Sequence, residues 1–149
     1  MAVGIDELFA MLRSDMDEVT QAEGRRLAKE VKHPSVFLQP VEDKSVWENC
    51  AQILAEKTDN ELYYFEMFEW LQDMTWPGAL TIYARLERVP GEKIGHAYSY
   101  CVKRAIKLED AEWLYSLSGF LKKDDWMRFL SPEALATLKK HREEYPHWD

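Results

Sequence analysis

Val46-Trp47-Glu48-Asn49-Cys50-Ala51-Gln52-Ile53-Leu54 carries the pattern that sets the fold class. Its apolar groups Val46, Trp47, Cys50, Ile53 and Leu54 recur at three- and four-residue steps, with polar groups between them. That is one face of an α-helix and not the two-residue alternation of a strand. The pattern predicts a helix from about Asp43 to Lys57.

The same spacing extends in both directions. Ile5, Leu8, Phe9 and Leu12 predict a helix over 5–12. Ser14 or Asp15 is expected to cap a second helix through Val31, with Val19, Leu27 and Val31 inward. Gly24 weakens its middle, and His33-Pro34 ends it, because the residue before a proline is pushed out of the α region. Residues 34–41 read as an extended connection anchored by Val36, Phe37, Leu38 and Val41. Beyond the deciding stretch, Asp59 or Asn60 is expected to cap a helix over about 60–72, with Leu62, Phe65, Phe68 and Leu71 as core candidates. Thr75 then caps a helix from Trp76 to about Arg88, with Pro77 in its first turn, where a missing N–H costs nothing. Helices at about 92–107 and 110–122 follow, then a short one to Leu130. Ser131-Pro132-Glu133 starts the last, which reaches about Tyr145.

Composition supports this. Val, Ile and Thr number 18, whereas Leu and Ala number 29, and no Asn-Gly or Asp-Gly hairpin turn occurs. The prediction is an all-α chain: one domain over residues 1–149, about eight helices packed as antiparallel hairpins, in the manner of a HEAT-like array.

The chain carries 19 basic and 27 acidic residues, a formal charge of −8. Such a surface repels phosphates, so a nucleic-acid partner is not expected. Residues 74–123 hold eight bases against five acids, and Arg85, Arg88, Lys93, Lys103, Arg104 and Lys107 there are the candidates for a glycosylase-like cleft. No apolar run approaches the roughly 18–20 residues that span a bilayer, and no secretory leader is visible, so a cytoplasmic protein without a membrane partner is expected. Cys50 and Cys101 read as buried reduced thiols.

Residues 69–80, Glu-Trp-Leu-Gln-Asp-Met-Thr-Trp-Pro-Gly-Ala-Leu, are the most distinctive stretch. With the later Asp110-Ala111-Glu112-Trp113-Leu114-Tyr115, they resemble an uncharacterised family of small bacterial helical domains with a W-L-Q-D-x-N-W-P-x-A signature. The resemblance covers about residues 38–123, and Thr75 stands where the family usually has Asn. It implies a helical, HEAT-like domain in a bacterial cytosol and no particular activity. Proteins of this kind also recur among the immunity proteins of bacterial toxin systems. The motif also has a plain structural reading. Trp70 and Trp76 flank a tight corner, Asp73 and Thr75 can cap the next helix, Gly78 permits a close approach, and Ala79 and Leu80 begin the inward face. Asp110 likewise reads as an N-cap.

Charge points to a function of binding. Residues 42–73 hold nine acids against Lys44 and Lys57. Glu66, Glu69 and Asp73 step by three and four along one helix face, beside Tyr63-Tyr64-Phe65, which offers more aromatic groups than one buried stripe can use. An acidic face with exposed Tyr suits a basic protein partner. The expected binding residues are Tyr63, Tyr64, Glu66, Glu69 and Asp73, and the sharpest form of the role is an immunity protein that neutralises a basic toxin. The alternative is a small-ligand binder or enzyme with a pocket formed by Trp70, Gln72, Asp73, Trp76 and Trp113. No Gly-rich phosphate loop, C-x-x-C, H-E-x-x-H or G-x-S-x-G is present, so no catalytic residue, metal or cofactor is assigned. His141, Glu144 and His147 are close in sequence, but the expected helix end separates them, and a tail is the simpler reading.

Overall fold

The computed structural model describes residues 3–40, 43–57 and 61–144. Nine α-helices and no strand occur among the described residues: α1 (Ile5–Met11), α2 (Glu18–Ala28), α3 (Trp47–Glu56), α4 (Tyr64–Trp70), α5 (Ala79–Glu87), α6 (Gly91–Leu108), α7 (Ala111–Ser118), α8 (Asp124–Met127) and α9 (Pro132–Glu144). The all-α class is as read from the sequence. The expected caps Asp59 and Asn60, the anchor Val41, the helix end at Tyr145 and His147 lie outside the described residues.

The helices pack in chain order, and often on the element two places along. α1 lies on α2, α2 on α3, α3 on α5, and α4 on both α5 and α6. The 18-residue α6 is the spine of the C-terminal half and carries α7, α8 and α9 around it. Its core is aromatic. Phe68, Tyr98, Phe120 and Trp126 are fully buried, with ring centroids 4.7–6.0 Å apart. Buried polar tips need partners, and backbone carbonyls supply them. The Tyr98 hydroxyl donates to Leu117 O at 2.7 Å, and the Trp126 indole to Val89 O at 2.9 Å.

Several boundaries differ from the sequence reading. α2 begins only after Asp17, because Ser14 N–H bonds across to Ser45 O and Met16 N–H closes a turn on Arg13 O. Val19 is 78% exposed instead of inward. Gly24 and Ala28 are the buried residues of α2 instead; a Cβ at Gly24 would stand 3.0 Å from Leu12 Cδ2 and 3.1 Å from Met11 Cβ. Residues 34–37 form a 3-10 turn rather than an extended link, with Phe37 buried. α5 starts at Ala79, three residues later than expected, since Gly78 stands at φ +85° and cannot be a helical residue. Thr75 therefore caps nothing: its N–H and hydroxyl both donate to Asp73 Oδ1, at 2.9 and 2.6 Å. Leu80 points outward and Ala79 inward.

Candidate functional site

α4 is rotated relative to its expected phase, and that rotation makes the site. Its buried residues are Tyr64, Met67, Phe68 and Trp70, followed by Leu71. Tyr64 is thus a core residue and not part of a binding surface, and Tyr63 is half-buried against the core. Leu62 and Phe65, expected inside, are exposed. Phe65, Glu66 and Glu69 face α6 instead.

There they meet Tyr100, Cys101 and Arg104, which occupy the same i, i+1, i+4 spacing on α6 as their counterparts do on α4. These six residues, with Trp113 of α7, line a cleft of about 470 Å³. Phe65 and Tyr100 meet edge to face, with centroids 5.1 Å apart, and both remain solvent-exposed. Trp113 is buried, and its indole N–H donates to Phe68 O at 3.0 Å, which ties α7 to α4 beneath the cleft. The Asp110 carboxylate accepts from Trp113 N–H at 3.1 Å, so it is an N-cap that sets where α7 and Trp113 begin.

The carboxylates are not equivalent. Glu66 is exposed, whereas Glu69 is half-buried. Burial, and then the charge of Glu66, hold the Glu69 carboxyl above the ordinary glutamate value, against the pull of Arg104. Burial, reinforced by Glu69 and Glu66, pushes the Cys101 thiol up to about 12, so it is no thiolate nucleophile at neutral pH. Cys50 is likewise buried, free and pushed up to about 12.

The structure gathers Glu66, Glu69 and Trp113, which the sequence had assigned to different sites. It does not bring in Asp73, whose carboxyl is held below its ordinary value chiefly by hydrogen bonds from Thr75. The tryptophan corner lies apart. Trp70 is fully buried with its indole on Pro77 O at 3.0 Å, and Trp47 packs edge-on against both Trp70 and Trp76. The chain's own Lys44 ammonium sits 5.4 and 5.7 Å from the Trp47 and Trp76 rings. Trp113 is not part of that corner; its neighbours are those of the cleft. Phe65 and Tyr100 were missed as site residues, and Arg104, expected in a basic cleft, stands in this acidic one. The matching i, i+1, i+4 triplets were the available signal, and they are informative only once α4 is known to pair with α6.

Other depressions occur among the described residues. One, about 560 Å³, has Ile5 and Phe9 of α1, Val36, Pro40 and Val46 among its walls. Another joins Lys57, Arg85 and Arg88, where Arg85 donates to Lys57 O at 3.3 Å. Arg104 stands instead in the acidic cleft, so the basic residues of 74–123 do not form a single surface. Among the described residues no group of three His, Cys, Asp or Glu could hold a metal ion, and no helix is long and apolar enough to cross a membrane.

The family model described as a domain of unknown function, DUF5071, matches residues 41–144. The chain belongs to the DUF5071 family. The DUF5071 region takes in α3 to α9, and so the whole α4–α6 cleft, and leaves α1, α2 and the 34–37 turn outside it. No curated protein and no solved structure matches the chain.

Proposed function

We propose that this DUF5071 protein is a non-catalytic protein–protein interaction module that takes a basic partner through the acidic, aromatic face of α4, in a bacterial cytosol. Neutralising a basic toxin, as an immunity protein does, is the sharpest form of that role. The packing of helices on neighbours two places along is compatible with a HEAT-like stack, an architecture that presents helix faces to partners.

One observation carries the reading: Phe65 and Tyr100 are exposed aromatic rings beside Glu66 and Glu69. Exposed aromatic groups supply anchoring area, and adjoining carboxylates steer a basic surface into place. The small-ligand alternative retains one favourable observation, Trp113 at the cleft, although Trp70 and Trp76 are turned to other work. The test is capture from lysate of the native host at low and high salt, with the E66K/E69K variant in parallel. One basic protein, held at low salt, released by salt and lost in the variant while helicity is unchanged, supports the proposal. Equal capture by the variant refutes it.

A further inference from the structure

Resting on that reading, we infer that the α4–α6 cleft is a socket for a single basic side chain of the partner, its cationic head between Glu66 and Glu69 and its methylene stem along Phe65 and Tyr100.

Shape is the first argument. A cleft of about 470 Å³ is ample for one long side chain. Chemistry is the second. Lysine and arginine are the residues that bury an apolar stem while keeping a charged tip in polar surroundings. The cleft has that division, with two rings at its rim and two carboxylates one helical turn apart. Aromatic faces also attract a cation directly. Charge is the third. Among the described residues neither carboxylate forms an ion pair, although seven other acid–base pairs do form. Two carboxylates and the single Arg104 guanidinium leave the cleft at −1, and one entering cation neutralises it. Half-burial of Glu69 makes that neutralisation worth more than at an open surface, since a charge withdrawn from water without a partner is costly. Arg104 repels the entering head and so limits affinity.

The test is NMR titration of the isotope-labelled chain with Nα-acetyl-lysine methylamide and Nα-acetyl-arginine methylamide, which carry no charge other than the side chain's. Nα-acetyl-norleucine methylamide is the neutral control. The expected result is salt-sensitive, millimolar binding of a cationic probe, with amide shifts centred on residues 65–69 and 100–105 and weaker or absent shifts with norleucine. E66Q/E69Q, which keeps shape and removes charge, should weaken binding at least tenfold, and R104Q should tighten it. Binding of free amino acids but not the blocked ones, or loss of binding in R104Q, would assign the cleft to a small zwitterion and overturn the socket. So would no response to either cationic probe, or shifts confined to another face. If the socket fails while E66K/E69K still abolishes partner capture, the interaction reading stands without it. If the socket binds its probes but no basic partner is captured, it is that reading that fails.

Discussion

Replacing Gly78 with alanine should cost about 2–5 kcal/mol, because two separate penalties meet at that residue. Gly78 stands at φ +85°, a left-handed conformation that costs an L side chain roughly 1–2 kcal/mol. A Cβ there would also lie 2.7 Å from Ala51 Cβ, 2.9 Å from Trp47 O and 3.1 Å from Trp70 Cζ2. Carbon atoms are at ease nearer 3.5–4.0 Å, and forcing an extra methyl into a packed interior typically costs about 1–3 kcal/mol. Urea unfolding followed by far-UV circular dichroism measures the sum. In a chain of this size it should appear as a fall in melting temperature on the order of 10 °C. The two penalties separate in a double-mutant cycle. A51G alone loses about 1 kcal/mol of helix propensity in α3 but removes the nearest overlap, so G78A should be milder in that background by about 1 kcal/mol. A G78A loss below about 1 kcal/mol would refute both the left-handed corner and the close packing of α5 on α3.

Two further outcomes follow from the site. E69Q should raise stability at neutral pH and do nearly nothing in acid. The folded-state carboxyl is held above its unfolded value of 4.5, so the proton it favours stabilises the fold below that value, and the benefit is lost as pH rises through the folded value. Urea midpoints of both proteins from pH 4 to pH 8 check this, and a gain that is constant or larger in acid contradicts it. D110A should lose about 1 kcal/mol through the N-cap of α7, and with it order at Trp113, read as weaker hydrogen-exchange protection over residues 111–118.

The fold class was legible because long stripes such as that of Trp47, Cys50, Ile53 and Leu54 state a helical period without help from tertiary contacts. The phase of α4 was not. Tyr63-Tyr64-Phe65 and Met67-Phe68 give two overlapping apolar faces one residue apart, and only packing against α5 and α6 selects the face that buries Tyr64 and exposes Phe65. The helix start at Ala79 was hidden for a related reason. Pro77 suits a first turn, and nothing local shows that Gly78 is needed left-handed, because that need comes from Trp47 and Ala51 across the interface. The site itself was half-legible. Glu66 and Glu69 stood out through their spacing, and Trp113 through its motif, but α4 packs on α6 as well as on its chain neighbour α5, a pairing with no signature in the sequence. Tyr100 and Arg104 consequently read as one more aromatic and one more basic residue.

Hydrogen exchange of the chain with and without the captured basic partner tests the central claim most directly, because it locates the interface without altering a residue. New protection is expected in α4 and in the stretch of α6 from Tyr98 to Leu108, released by salt. Protection that instead falls on the groove beside α1, or on the Lys57, Arg85 and Arg88 cluster, with α4 unchanged, would contradict it.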